Sequence, residues 1–293
     1  MNKITVRVPA TTANIGPGFD SMGCALALYN YITCEVLPAG KLVITGCPEQ
    51  YQNEENLAVQ GYRAVLSRLG LLNEGLSLNI RAEIPVCRGL GSSAALIAGG
   101  AAAANLLHGS PLPPAELLEV TNEIEGHPDN LAPAIYGGLT ASLVEDGKPR
   151  TVKLPLSPTL RWVAAIPDFE LSTHIARAVL PKKVAFTDAV YNASHAAVLA
   201  GALGSGDREL IAMALRDRLH QPYRESLIPE YGKVKAAEQC GAIAFCISGA
   251  GPTLLALTDE ASFAAQFAEK CKRLEHRWNI MELAVDTEGI VAE

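Results

Sequence analysis

The most informative stretch of this 293-residue chain reads Pro85-Val86-Cys87-Arg88-Gly89-Leu90-Gly91-Ser92-Ser93-Ala94-Ala95. Alternating apolar and polar residues over 76–82 predict a strand before it, and an Ala-rich run over 94–107 predicts a buried helix after it. Glycines let a backbone approach phosphate oxygens, and a helix start presents unpaired N–H groups. This glycine loop (residues 85–95) is therefore a candidate phosphate cradle, although an ordinary strand-to-helix turn has the same local pattern.

The glycine loop differs from two familiar phosphate-binding patterns. No Gly-Lys-Ser or Gly-Lys-Thr follows it, as in a P-loop, and the dinucleotide fingerprint Gly-x-Gly-x-x-Gly is absent. Ser92 and Ser93 supply hydroxyls that can bind phosphate or Mg²⁺, and the small side chains of Ala94 and Ala95 allow tight packing beneath the loop. Taken alone, the loop predicts an anion site and no particular reaction.

Composition narrows the class of protein. The chain is 49% hydrophobic and 19% charged, with a net charge of −7 and no block of Lys or Arg, which argues against a broad nucleic-acid surface. The uncharged runs 89–107 and 239–258 are too rich in small residues, or too interrupted by turn residues, to predict membrane helices. The first residues lack the apolar segment of a signal peptide. We therefore expect a soluble, cytoplasmic protein with no nucleic-acid or membrane partner.

The seven cysteines also indicate a cytoplasmic protein. Their number is odd, and no Cys-x-x-Cys pair occurs. Scattered thiols in a reducing compartment explain them better than disulfides or zinc.

Strand-like and helical patterns alternate along the chain. We predict strands at 4–9, 25–37, 76–82, 138–144, 162–166, 241–247 and 254–257. We predict helices at 56–69, 94–107, 115–125, 189–203, 209–219, 231–239 and 262–274, with a loop at 11–18. Hairpin-like strand pairs favour an α+β fold over a doubly wound parallel sheet. Turn residues over 149–158 suggest a domain boundary, which divides the chain into residues 1–156 and 157–293.

Two distant segments change the interpretation of the glycine loop. The first motif (residues 8–20) reads Val-Pro-Ala-Thr-Thr-Ala-Asn-Ile-Gly-Pro-Gly-Phe-Asp, and the third motif (residues 248–253) reads Ser-Gly-Ala-Gly-Pro-Thr. In chain order, the first motif, the glycine loop and the third motif resemble the three motifs of the GHMP kinase superfamily. The resemblance implies a two-domain GHMP-kinase-like fold. Its N-terminal domain, which binds ATP, would be like ribosomal protein S5 domain 2, and its C-terminal, ferredoxin-like α/β domain would complete the substrate site.

Within the superfamily, the first motif has the form found in the homoserine kinase family. The segments 125–134, 172–181 and 222–224 are similar to the same family. The resemblance implies MgATP-dependent phosphorylation of the side-chain hydroxyl of L-homoserine, which yields O-phospho-L-homoserine for threonine biosynthesis.

The resemblance also implies roles for individual residues. The expected ATP-binding residues lie in the glycine loop, with one more at a predicted helix start: Pro85, Val86, Cys87, Arg88, Gly89, Leu90, Gly91, Ser92, Ser93, Ala94, Ala95 and Asn56. For Asn56, a helix N-cap is an equally good interpretation.

The expected substrate residues match the charges of a zwitterion. Arg177 and Arg224 would bind the carboxylate, and Asp20 with the Asn14 side-chain oxygen would bind the ammonium. Asn130 would hold the attacking hydroxyl. Simpler interpretations exist for the first four of these residues: Asn14 as a loop-stabilising residue, Asp20 as a surface or helix-capping carboxylate, and the two arginines as surface ion pairs.

For catalysis we name Asn130, Ser93 and Glu123, with Ser93 and Glu123 as ligands of Mg²⁺. Glu125, two residues further on, is the close alternative, because residues at this spacing face different directions on a helix. An Asn at position 130 cannot remove a proton, so we expect catalysis without a dedicated protein base.

Two other functions fit the same motifs. One is a GHMP kinase with a different hydroxylated acceptor, and the other is a ligand-binding homologue without turnover. A dinucleotide-dependent oxidoreductase is disfavoured by the missing fingerprint. The apolar second half is compatible with a homodimer.

Overall fold

The computed structural model describes residues 2–71 and 74–293, apart from the side chains of Ala237 and Glu238. Within these residues the strands are β1 (Lys3–Ala13), β2 (Met22–Leu37), β3 (Leu42–Thr45), β4 (Gly75–Ala82), β5 (Leu139–Glu145), β6 (Lys148–Leu154), β7 (Arg161–Pro167), β8 (Ala244–Ile247), β9 (Leu254–Thr258), β10 (Trp278–Leu283) and β11 (Val291–Ala292). The α-helices are α1 (Leu57–Leu69), α2 (Ser92–Leu107), α3 (Pro114–Glu125), α4 (Leu131–Tyr136), α5 (Thr173–Ala178), α6 (Phe186–Ser205), α7 (Arg208–Ala214), α8 (Gln221–Arg224), α9 (Tyr231–Lys235) and α10 (Phe263–Cys271).

The strands form two sheets. The first has the order β11-β1-β2-β4-β3, with β5 paired to β2 and β6 paired to β5. The second has the order β10-β7-β9-β8 and is antiparallel throughout. That order, with β7 and β10 side by side, is the one expected for a ferredoxin-like domain, and the α+β prediction is confirmed.

The two sheets share packing through β7. Trp162, Ala164 and Ile166 belong to the main core, whereas Val163 and Ala165 belong to a second core that includes Phe263 and Phe267 of α10. Successive side chains of a strand point to opposite faces, so the second sheet is buried on both sides. The shared core fixes the position of each sheet against the other.

Helix α2 carries the glycine loop into the main core. It packs against α1, α3 and α4 and against β1 and β2. Its alanines are buried on nearly every side, because their small side chains allow these elements to approach closely. The N-terminus of α2 therefore stands on a rigid support.

Two sequence predictions about local structure were wrong. Residues 11–13, expected in a loop, continue β1, because they pair with β2 as far as Ala13 opposite Gly23. Residues 148–154 also form a strand that the sequence did not predict, β6, which pairs with β5 at the edge of the sheet, where Pro149 is tolerated. The helix expected over 209–219 ends at Ala214.

The division into domains at residue 156 stays a prediction. The last residues of the chain pair with the first sheet. Strand β11 pairs with β1, and Val285 bridges to Leu26 of β2. The C-terminal segment thus closes on the sheet that carries the first motif.

The predicted free thiols are confirmed. In the described part of the chain all seven cysteines are free, and five of them are buried. Burial raises the pKa of Cys271 to about 11, so this thiol is protonated at neutral pH. No helix within residues 2–71 and 74–293 combines the length and the apolar character needed to cross a membrane.

Candidate active site

The glycine loop connects β4 to α2 and ends in a helix start that is open to a ligand. Gly91 is the N-cap of α2, with a left-handed φ of 68°. A glycine has no side chain to accept hydrogen bonds from the first N–H groups of the helix, which have no partner within the helix itself. These N–H groups and the helix dipole favour an anion at this position.

The third motif packs directly on this loop. The Ser248 hydroxyl donates to the Gly89 carbonyl at 2.6 Å, and the Thr253 N–H donates to the Arg88 carbonyl at 3.3 Å. Gly89 has a φ of 71°, and a Cβ there would overlap the Ser248 carbonyl. The third motif therefore contacts the glycine loop through both side-chain and backbone hydrogen bonds.

The first motif joins the other two. The Gly249 N–H donates to the Ala13 carbonyl at 2.8 Å, and the Thr11 N–H donates to the Leu90 carbonyl at 3.1 Å. Three segments that are far apart in the sequence therefore meet around Gly89 and Leu90.

Asn130 lies against the end of the glycine loop. Its Oδ1 accepts a hydrogen bond from the Thr11 hydroxyl at 2.8 Å, and its Nδ2 donates to Asp129 Oδ1 at 3.3 Å. A Cβ on Gly91 would overlap the Thr11 hydroxyl and lie 3.1 Å from Asn130 Oδ1. Glycine is thus the only residue type that fits between this pair and the helix start.

The acidic partner of Ser93 is Glu125. The Ser93 hydroxyl donates to Glu125 Oε1 at 2.8 Å. Glu123 instead points to the surface, with its side chain 68% exposed and 3.2 Å from Arg68 of α1. The preference for Glu123 over Glu125 is corrected by this geometry, because only the last residue of α3 faces the start of α2.

Glu125 lies in a group of interacting charges. Burial raises the pKa of its carboxyl, and the hydrogen bond from Ser93 only partly offsets this effect. His127 Nδ1 lies 3.0 Å from Asp129 Oδ1. Burial lowers the pKa of His127, but the hydrogen bond and charge of Asp129, together with Glu125, outweigh it and raise the pKa overall. The sequence predicts no role for His127, which the structure places beside Asp129 and Glu125.

Asp20 and Arg177, expected to bind opposite ends of the substrate, bind each other. Arg177 donates two hydrogen bonds to the Asp20 carboxylate, at 2.6 and 3.1 Å. Asn14 Oδ1 accepts a hydrogen bond from the Asp20 N–H at 2.7 Å and so shapes the loop. The simpler interpretation of Asn14, a loop-stabilising residue, therefore holds, and its second acceptor position is compatible with a substrate role.

Arg224 is buried, with 1% exposure, and lies close to the same group. Its guanidinium carbon is 5.2 Å from the ring centroid of Phe19. Burial and the nearby charge of Arg177 lower its pKa to about 10, whereas Asp20 and Asp129 oppose this shift. Even so, the guanidinium is cationic at neutral pH.

Other expected ATP residues occupy different environments. The Arg88 guanidinium donates to the backbone carbonyls of Pro167 and Asp168 and to that of Val86 within the loop, all at 3.0 Å. The side chains of Val86 and Cys87 are exposed to solvent. Asn56 is the N-cap of α1, with its oxygen accepting from the Ala58 N–H at 3.0 Å, and its contact with adenine stays a prediction.

The part of the chain that the structure describes includes no cluster of three or more His, Cys, Asp or Glu side chains that could hold a metal ion. Ser93 and Glu125 instead provide a pair of oxygen ligands. Such a pair suits a cation whose other ligands are phosphate oxygens and water.

Comparisons with known proteins agree with this geometry. Residues 56–138 match the family model for the N-terminal domain of GHMP kinases, and residues 199–275 match the model for the C-terminal domain. A homoserine kinase from Clostridium botulinum is 40% identical over 291 residues, which cover 98% of each chain. The chain belongs to the homoserine kinase family of the GHMP kinases.

Further relatives are similar to this chain over nearly its full length. The enzyme from Caldicellulosiruptor saccharolyticus is 43% identical over 98% of this chain and 95% of its own. The crystal structure of homoserine kinase from Cytophaga hutchinsonii superimposes with a TM-score of 0.91 at 29% identity, covering 100% of this chain and 98% of that one. The mevalonate kinase of L. major, at 15% identity over 98% of this chain and 96% of its own, shares the fold with a TM-score of 0.71. The predicted family and two-domain fold are confirmed.

The fit at Gly91 can be tested by adding one methyl group. Gly40, between β2 and β3, has a φ of 77°, and no heavy atom lies within 4 Å of the position that a Cβ would take, so it is a matched control for Gly91. Gly40→Ala should reduce the free energy of unfolding by about 1 kcal/mol through backbone strain alone. Gly91→Ala should lose about 1–3 kcal/mol more, because the methyl group overlaps the Thr11 hydroxyl. Urea denaturation measures both, and equal losses would contradict a fixed contact between Gly91, Thr11 and Asn130.

Proposed function

We propose that this protein transfers the γ-phosphoryl group of ATP to the side-chain hydroxyl of L-homoserine and releases ADP and O-phospho-L-homoserine. The observation that carries the proposal is the convergence of Asp20, Arg177 and Arg224 beside a helix start suited to phosphate. Full-length similarity to homoserine kinases at 40–43% identity supports it.

The phosphate end of the site uses backbone donors. ATP carries several negative charges, and the chain has a net charge of −7, so a broad positive field does not attract it. The N–H groups at the start of α2 and the hydroxyl of Ser92 provide local donors. Because α2 is packed on all sides, these donors need little reorganisation when phosphate binds.

The other end of the site suits a zwitterion. In the absence of substrate, Asp20 and Arg177 satisfy each other through two hydrogen bonds. Homoserine brings one carboxylate and one ammonium, so its carboxylate can bind Arg177 while its ammonium binds Asp20, with no net charge left unpaired. Arg224, already cationic and buried, provides a second donor for the carboxylate.

Mg²⁺ fits the Ser93 and Glu125 pair. When bound, the ion would neutralise charge on the ATP phosphates. Ser93 and Glu125 would hold it through their oxygens. The raised pKa of Glu125 means that its carboxylate forms only above a higher pH than an ordinary glutamate with a pKa of 4.5.

The attacking hydroxyl is aligned by Asn130. The amide is fixed by Thr11 and by Asp129, and an amide cannot accept the hydroxyl proton as a base. Asp129 is 1% exposed, and its Oδ1 already accepts from Asn130 and lies 3.0 Å from His127. We therefore propose that the O–P bond forms as the bond to ADP breaks, and that the hydroxyl proton passes to a phosphate oxygen or to water.

We also propose a cytoplasmic location and a homodimer. The free thiols support the first. Exposed apolar residues on α6, Phe186 with 83% exposure and Val190 with 52%, support the second.

The acceptor is tested by measuring ADP release with homoserine, mevalonate, galactose and shikimate. Homoserine should give a kcat/KM at least about 100-fold above the others, because they lack the zwitterion that the paired charges require. Preferred turnover of mevalonate would assign the chain to another GHMP activity. Tight binding of homoserine and nucleotide without ADP release would indicate a binding protein.

The metal ligand is tested with Glu125→Gln and Glu123→Gln. The first should raise the Mg²⁺ concentration needed for half-maximal activity by about 10-fold or more, and the second should not change it. In the wild type, activity should fall as the pH drops through the raised pKa of Glu125, because the protonated carboxyl no longer binds the cation. A larger effect from Glu123→Gln would contradict the assignment.

The proton route is tested with Asn130→Ala and Asp129→Asn. Loss of alignment in Asn130→Ala should lower kcat by about 100-fold. Asp129→Asn should retain measurable turnover, since this carboxylate does not take the proton. If Asp129→Asn abolishes turnover while calorimetry shows that homoserine still binds, the proposal of base-free catalysis fails.

A further inference from the structure

Arg224 is a buried cation that is held by uncharged groups. Its Nε donates to the Ala176 carbonyl at 3.1 Å, and its Nη1 donates to the Gly249 carbonyl at 3.1 Å and to His220 Nδ1 at 3.3 Å. None of these three acceptors carries a negative charge. These three hydrogen bonds therefore orient the guanidinium without pairing it with a carboxylate, which suits a group that must receive an incoming carboxylate.

The imidazole of His220 is fixed in one tautomer. It is fully buried, and its Nε2 lies 2.8 Å from the Gly16 carbonyl. A carbonyl oxygen only accepts, so Nε2 carries the hydrogen. Nδ1 is then the lone-pair nitrogen that accepts from Arg224. Burial lowers the pKa of His220 and so supports the neutral form.

The surroundings of His220 hold it in place from two sides. Asp217 Oδ2 accepts from the backbone N–H groups of His220 and Gln221, at 2.9 and 2.7 Å, and so fixes the start of α8. Phe19 of the first motif stacks on the imidazole with ring centroids 5.3 Å apart. His220 therefore connects the first motif, through Gly16 and Phe19, to Arg224.

We propose that His220 is a positioning residue that orients the Arg224 guanidinium toward the carboxylate of the acceptor. This inference rests on the proposed function, in which Arg224 binds that carboxylate. It assigns to His220 an effect on the acceptor alone. Loss of the Nδ1 acceptor removes one of the three hydrogen bonds that orient the guanidinium, and carboxylate recognition weakens while the nucleotide site is unchanged.

Two substitutions separate the nitrogens of His220. The side-chain nitrogen of Gln corresponds to Nε2, so His220→Gln keeps the bond to Gly16 and removes the acceptor for Arg224. The side-chain oxygen of Asn corresponds to Nδ1, so His220→Asn keeps that acceptor. His220→Gln should raise the KM for homoserine by about 10-fold or more, with kcat and the KM for ATP within about 3-fold of wild type. His220→Asn should change the KM for homoserine by less than about 3-fold. Equal losses in both variants, or a parallel rise in the KM for ATP, would overturn the proposal.

A double-mutant cycle tests whether the effect passes through Arg224. In an Arg224→Lys background, His220→Gln should change kcat/KM for homoserine by less than about 2-fold, because its partner is already altered. Independent, additive losses would show that His220 supports the fold in a general way and would overturn the proposal.

A measurement on the wild type keeps the test valid if His220→Gln does not fold. The ¹⁵N NMR spectrum of histidine-labelled protein, with the resonance assigned by its loss in His220→Asn, should show a protonated Nε2 and a bare Nδ1. Protonation of Nδ1 would overturn the proposal. Absence of homoserine phosphorylation by the wild type would instead refute the proposed function, and the two failures are thus distinguishable.

Discussion

The Ser248 hydroxyl, fully buried, donates a 2.6 Å hydrogen bond to the Gly89 carbonyl and lies 2.8 Å from the Thr12 hydroxyl. These bonds join β1, the glycine loop and the turn after β8, which come from both sheets. A buried hydroxyl without its partner is costly, so this arrangement is maintained only when all three segments are in register. The start of α2 is thereby held at a fixed distance from the first motif and the second sheet.

From this junction, the contacts extend in two directions. On one side, Thr11 holds Asn130 against Gly91, and Ser93 pairs with Glu125, which together shape the phosphate end. On the other side, the first motif continues to Asp20, whose carboxylate pairs with Arg177. In the proposed function, the phosphate donors and the zwitterion partners therefore lie on the same frame, and binding would require little rearrangement beyond the exchange of one internal ion pair for the substrate.

Local patterns and family motifs predicted much of this site. The glycine loop and the helix after it follow from local sequence patterns, whereas the roles of Asn130, Arg177 and Arg224 come from the resemblance to the family motifs and stay predictions. The choice between Glu123 and Glu125 depends on how α3 packs, because Arg68 of α1 takes one and Ser93 of α2 takes the other. Helical periodicity shows that the side chains of Glu123 and Glu125 point in different directions, but it does not show which neighbour each side chain contacts.

The other features that the sequence did not predict have the same physical origin. His220 carries no sequence signal, because its role arises from contacts with Gly16 and Arg224 that only the tertiary fold creates. Residues 148–154 contain a proline and turn residues, yet β5 offers an edge on which they form a strand.

In the proposed function, one frame places the phosphate of ATP and the carboxylate of homoserine at opposite ends of the same site. A crystal structure with L-homoserine and a non-hydrolysable ATP analogue would show both ligands in place. We expect nucleotide phosphates on the N–H groups at the start of α2, the homoserine carboxylate hydrogen-bonded to Arg177 and Arg224, and its hydroxyl beside Asn130, facing the γ-phosphate. A carboxylate bound away from both arginines, or phosphates bound away from the glycine loop, would contradict the proposal.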